Sequence, residues 1–137
     1  MNIQNNSGAV EPMPAEVDRV ARAVVDAAFK VHSTLGPGLL ESVYEVCLVH
    51  ELGKRGFKVE RQIALPVFYD GLKMDAGLRL DLLVDDCVIV ELKAIEITLP
   101  VHQAQLLTYL KLAGKRLGLL INFNVPLIRD GIQRMAL

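Results

Sequence analysis

The chain has 137 residues, 52% of them hydrophobic and 23% charged, so it is long enough for one core, too short for two full domains and too apolar to be disordered. Fifteen Lys and Arg against sixteen Asp and Glu leave a formal charge of −1, which excludes a general attraction to nucleic acid or anionic membrane. Any nucleic-acid contact must come from a local patch.

Residues 1–14, rich in Asn with Gly8, Pro12 and Pro14, have no hydrophobic period and predict a flexible tail ahead of a single domain over 15–137. From 16 to 35 the residues Val17, Val20, Ala21, Val24, Ala28, Val31 and Leu35 recur at three- and four-residue steps, which is one helical face, and Gly36-Pro37-Gly38 ends it. A second helix is predicted over about 39–52, with Gly53 or Gly56 as its stop. The period then changes to that of strands at 57–60, 63–69, 78–84 and 88–94, with turns at Asp70-Gly71 and Asp85-Asp86, which suggests an antiparallel meander. Pro100 begins a third helix that runs to Ala113, with Gly114 as its C-terminal stop. Residues 117–123 are apolar almost throughout, as in a strand covered on both faces, and about twenty residues from Ala94 to Leu117 suffice for a helical crossover between parallel strands. Residues 127–137 fit either a short helix or a strand. The order predicts an α/β fold with a mixed sheet.

The chemistry-bearing stretch is Asp81 followed by Glu91-Leu92-Lys93. Glu91 and Lys93 are two apart on a strand and share a face. A two-residue loop at Asp85-Asp86 would turn Asp81 away from Glu91, whereas a three-residue loop, 85–87, pairs Val84 with Val88 and sets Asp81 opposite Glu91. The second register gathers Leu80, Leu82, Val84, Val88, Val90 and Leu92 on one face and Asp81, Leu83, Ile89, Glu91 and Lys93 on the other, and that segregation favours it. Asp81 and Glu91 then offer oxygen ligands to a hard divalent cation, Mg²⁺ or Mn²⁺, beside the Lys93 ammonium, a set suited to metal-assisted hydrolysis of a phosphate. Spacing alone fits a surface cross-strand salt bridge better. Gln105 and Tyr109, four apart, share a face of the third helix, and Glu41 lies near the start of the second. His32, His50 and His102 are scattered without zinc or triad spacing, and no Gly-rich nucleotide loop occurs. Cys47 and Cys87 lack metal spacing and read as buried free thiols in a reducing compartment. The absence of a signal-peptide pattern and of a long apolar run adds to an expected cytoplasmic location.

The run Gly38-Leu39-Leu40-Glu41-Ser42-Val43-Tyr44 matches a GxxExxY signature, and the chain resembles the bacterial GxxExxY family of the PD-(D/E)xK nuclease superfamily. The resemblance continues through DLLVDD (81–86), IVELKAIE (89–96), HQAQLLTYLK (102–111) and GLLINFN (118–124), and covers about 16–135. It implies a restriction-endonuclease-like core, a mixed β-sheet flanked by helices. It further implies a metal-dependent nuclease with Asp81 and Glu91 as metal ligands, Lys93 as the catalytic lysine and Glu41 as the helical acid. Gln105 and Tyr109 resemble the QxxxY element of the RecB-like branch, and Leu80 stands where the superfamily name has proline.

Two functions follow as expectations. One is a Mg²⁺- or Mn²⁺-dependent nuclease acting on DNA or RNA. The alternative is a nuclease-fold protein that serves mainly as a self-assembling or interaction module. Local basic clusters at Lys54, Arg55, Lys58 and Arg61, and at Lys111, Lys115 and Arg116, are the candidate nucleic-acid contacts. A mean hydropathy of +0.34 predicts leftover apolar surface and hence a homo-oligomer, a dimer or larger.

Overall fold

The computed structural model describes residues 11–137. Most of the expected tail therefore lies outside the described residues, but its last part is packed: Met13 rests against the core, and the carbonyls of Glu11 and Pro12 accept hydrogen bonds from the Arg116 guanidinium.

Helix α1 (Ala15–Leu35) buries Val20, Ala21, Val24, Ala28 and Val31 of the expected stripe, together with Ala27, whereas Val17 is half-buried and Leu35, at the helix end, is exposed. Its acidic first turn, Glu16 and Asp18, complements the helix dipole, and Gly36 ends it at a φ of 71° that glycine adopts without strain. Helix α2 (Glu41–Lys54) starts two residues later than expected and runs through Gly53, and the left-handed Gly56 turns the chain toward the sheet.

Three strands, not four, form the meander. The expected strands at 57–60 and 63–69 are one strand, β1 (Val59–Tyr69), whose continuity is disguised by an irregular residue, Gln62. Strand β2 (Leu72–Val84) begins directly after the Asp70-Gly71 turn rather than at Leu78, because Leu72, Lys73 and Met74 pair with β1 across that turn, while 75–77 span a register shift opposite Pro66. Strand β3 (Val88–Lys93) pairs antiparallel with β2 through Val84–Val88, Leu83–Ile89 and Leu82–Val90, which is the register of the three-residue loop.

Helix α3 (Pro100–Ala113) then crosses over, and β4 (Leu117–Asn122), buried along its whole length, runs parallel to β3. A short 3-10 turn (Ile128–Gly131) leads into β5 (Ile132–Ala136), antiparallel to β4, so the last segment is a strand. The sheet order is β1-β2-β3-β4-β5.

Apolar residues cover both sheet faces. On one, Leu82, Val84, Val88, Val90, Leu92, Leu117, Leu119 and Ile121 pack against α1 and α2. On the other, Leu83, Ile89 and Leu120 pack against Leu106, Tyr109 and Leu110 of α3. Leu80 departs from its expected face and joins the α3 side. Gly118 lets α3 lie close to the sheet, since a Cβ there would stand 2.8 Å from the Leu106 side chain. Cys47 and Cys87 are free but only half-buried. Among the described residues no helix is long and apolar enough to cross a membrane.

Candidate active site

The β2–β3 hairpin sets the site. At its turn, Asp85 and Asp86 take left-handed φ values of 47° and 58°, the Cys87 N–H donates to the Val84 carbonyl at 3.0 Å, and the Asp85 carboxylate accepts the Lys58 N–H at 2.8 Å. Beyond the Leu82–Val90 pair the backbone ladder stops and carboxylates replace carbonyls. The Asp81 N–H donates to Glu91 Oε2 at 2.9 Å, and the Leu92 N–H donates to Asp81 Oδ2 at 2.8 Å. Each acid therefore uses one oxygen to hold the opposite strand, so the two are fixed beside one another.

Glu41 arrives from α2, and Tyr44 explains how. The Tyr44 hydroxyl donates to the Gly36 carbonyl at 2.6 Å and accepts the Leu39 N–H at 3.1 Å, which closes the loop just ahead of Glu41. Its ring stacks on Phe123, with centroids 4.6 Å apart and planes 9° from parallel. The Phe123 N–H in turn donates to the Lys93 carbonyl at 2.9 Å. One buried aromatic pair thus links the loop that presents Glu41 to the strand end that carries Lys93. Asn122, paired with Lys93 across the parallel ladder, accepts the Ile95 N–H and donates to the Ile95 carbonyl, which fixes the exit from β3.

The electrostatics show that these groups converge. Glu91 is 5% exposed, and burial, followed by the Asp81 charge, pushes its carboxyl from 4.5 up to about 8, against the opposing pull of the Asp81 N–H and Lys93. Asp81 is raised by burial and by the Glu45 charge, with the Leu92 N–H and Lys93 acting the other way. Glu41 is raised by burial and by Asp81, and lowered by Lys93. Tyr109 is raised by burial and then by Glu91 and Asp81, with Gln105 acting the other way. Glu41, Asp81, Glu91, Lys93 and Tyr109 therefore share one field, with Gln105 on the exposed rim of α3.

The donor chemistry suits a hard cation. Hard oxygen donors are what Mg²⁺ or Mn²⁺ takes, and acids whose charged forms are disfavoured by burial and by one another are relieved by a divalent charge. Among the described residues no three His, Cys, Asp or Glu side chains are closed into a metal-holding group as they stand. Asp81 and Glu91 would supply two ligands, and the remainder of the shell would come from a neighbouring carbonyl or water.

Comparison with protein-family profiles matches residues 18–135 to the PD-(D/E)XK nuclease superfamily. The chain belongs to that superfamily. Neither a comparison with curated proteins nor one with solved structures gives a match. Nucleases of the PD-(D/E)XK superfamily generally use divalent metal ions, and the mixed sheet flanked by helices agrees with their restriction-endonuclease-like fold.

Two residues of this nuclease domain escaped the sequence reading. Glu45, one helical turn after Glu41, is 6% exposed and faces Asp81 and Glu41. Its carboxylate accepts from Arg61 Nε at 3.0 Å and from Gln62 Nε2 at 3.1 and 3.3 Å. The four-residue step from Glu41 was the available signal for Glu45; Gln62 left none. The first basic cluster is largely neutralised: Lys54 and Arg55 pair with Glu51, Lys58 with Glu60 and Arg61 with Glu45. In the second, Lys115 pairs with Asp86 and Arg116 is bound to backbone carbonyls.

Proposed function

We propose that this chain is a Mg²⁺- or Mn²⁺-dependent nuclease that hydrolyses phosphodiester bonds in DNA or RNA, within the GxxExxY group of its superfamily. The observation that carries the reading is the Asp81–Glu91 pair, locked by reciprocal carboxylate–amide bonds beside Lys93. The group assignment rests on Gly38, Glu41 and Tyr44 and on the loop that Tyr44 closes.

In this reading Asp81 and Glu91 hold the metal, which supplies Lewis-acid polarisation of the phosphate and an acidified water. Lys93 places a positive charge where negative charge grows on the phosphate, and it orients the attacking water. Glu41 completes the acidic wall from α2. Tyr109, with Gln105, forms the α3 wall and orients the substrate. Because the field is acidic at its floor, nucleic acid approaches only with cations present, consistent with a net charge of −1. The half-buried free thiols support a reducing, cytoplasmic setting.

Homo-oligomerisation belongs to the same reading, since Phe68, Tyr69 and Leu72 stand exposed at the tip of the β1–β2 hairpin. Light scattering across a tenfold dilution should give a multiple of 15.1 kDa, and a constant monomer mass would overturn it. The alternative, a nuclease-fold interaction module, draws support from the paired state of the basic clusters.

The deciding experiment is a Mn²⁺-dependent cleavage assay on single- and double-stranded DNA and RNA with the parent and Lys93→Ala. The parent should cut at least one substrate and the variant, equally folded, should lose about 10³-fold or more, or about 4 kcal/mol of transition-state stabilisation. Equal activity of the two, or none in the parent on any substrate, would refute the nuclease reading.

A further inference from the structure

Strand β1 contains a residue that a strand should reject. Gln62 has a left-handed φ of 50°, uncommon for any residue other than glycine and costing on the order of 1–3 kcal/mol. The register runs through it unchanged, with Arg61 facing Leu82 and Ile63 facing Leu80, yet the intervening Gln62–Asp81 pair is absent from the ladder. The ribbon turns over at that pair. Val59 and Leu82 pack on the α1–α2 side, whereas Ile63 and Leu80 pack on the α3 side, although in an unbroken strand residues two or four apart share a face.

The side chain of Gln62 accounts for the position. Its Nε2 lies 3.1 and 3.3 Å from the two oxygens of buried Glu45, and Glu45 is balanced on its other side by Arg61. The register sets Gln62 across the ribbon from Asp81, whose carboxyl is raised by burial and by the charge of the same Glu45. The Gln62 backbone carbonyl accepts from Arg79 Nη1 at 3.5 Å, an exposed contact too long to hold the conformation.

We propose that Gln62 is a positioning residue of the site: its left-handed backbone brings the carboxamide between Glu45 and Asp81, where it fixes the orientation in which Asp81 accepts the Leu92 N–H and keeps its other oxygen for a cation. The role in metal binding rests on the nuclease reading; the role in orienting Asp81 does not. A glutamine suits the task because its NH₂ group has two donors and can serve two carboxylates without adding charge.

The test uses Gln62→Gly, which removes the side chain and the backbone restriction together. The variant should still unfold cooperatively, with a Tm lowered by several degrees, because relief of the left-handed strain only partly offsets the lost hydrogen bonds to Glu45 and the greater freedom of glycine in the unfolded chain. In the metal-free proteins, hydrogen exchange at the Leu92 amide should accelerate about tenfold or more, with the Val90 amide unchanged. Titration with Mn²⁺ alone should give an affinity weakened about 10- to 100-fold, the range for residues that orient a ligand. Unchanged exchange at Leu92 overturns the proposal, as does an unchanged Mn²⁺ affinity, or a glycine variant that no longer folds, which would make Gln62 a residue of the fold. A parent that binds no Mn²⁺ and cuts nothing overturns the nuclease reading, and the Leu92 exchange still decides for or against the orienting role.

Discussion

The two ends of the β2–β3 hairpin are three residues apart and obey different rules. From Leu82 to Val84 the strands pair residue by residue with Val88 to Val90, and the side chains are buried and apolar. At Asp81 and Glu91 the carboxylates take over the pairing, and burial there works against their charge. The turn end contributes stability, and the site end holds its geometry at a cost in stability. Each can therefore be perturbed with a distinct signature.

The largest expected effect comes from removing the buried charge. A Glu91 carboxyl raised from 4.5 to about 8 means that the folded state holds a proton the unfolded state has lost over that interval. Stability is then full below pH 4.5, falls as pH rises through the window and levels off above 8, by on the order of 5 kcal/mol. Glu91→Gln should flatten this dependence and exceed the parent in urea unfolding at pH 9 in the presence of chelator, while losing Mn²⁺-dependent cleavage. Parallel pH curves for the two proteins would remove the contrast between the ends of the hairpin. Saturation of the parent with Mn²⁺ at about a hundredfold excess over its Kd should return about 2.7 kcal/mol, and the variant should gain nothing comparable.

The complementary substitution is Leu82→Ala at the turn end. Leu82 is fully buried, so the cavity should cost about 3 kcal/mol with no change in the shape of the pH dependence. A smaller effect is expected of Tyr44→Phe, which keeps the stack on Phe123 and removes the hydroxyl bonds to Gly36 and Leu39. It should cost about 1–2 kcal/mol in urea unfolding. Cleavage should fall more than stability alone explains, because the loop ahead of Glu41 is then untied; an unchanged kcat would separate that loop from the site.

What could be read beforehand follows from what has a period. Glu91 and Lys93 stand out because alternation places two charges on one face of an otherwise apolar strand, and the segregation of Leu82, Val84, Val88 and Val90 selects the register that brings Asp81 to Glu91. The stripe on α1 and the continuous apolar run of β4 were legible for the same reason. Gln62 was not, since nothing in its neighbours announces a left-handed glutamine, and the face of Leu80 was lost with it. Strand β2 was drawn short because 73–77 has no alternation of its own: Lys73 and Met74 are strand through pairing with β1, and 75–77 lie at a register shift. Glu45 looked like one more helix acid until the tertiary fold buried it against Arg61 and Gln62.

The bare backbone at Gly118 has a consequence beyond packing. Leu106 rests on it, and Leu106 lies one residue after Gln105 and three before Tyr109 on the same helix. The absent side chain works as the missing shim between helix and sheet, and the spacing of α3 from the sheet depends on it. A single methyl group added at this remote, wholly apolar point would widen the gap between the α3 wall and the acidic floor without altering any charged or hydrogen-bonding group. The seating of α3 on the sheet is therefore adjustable by a change of thickness in the core, independently of the charged groups.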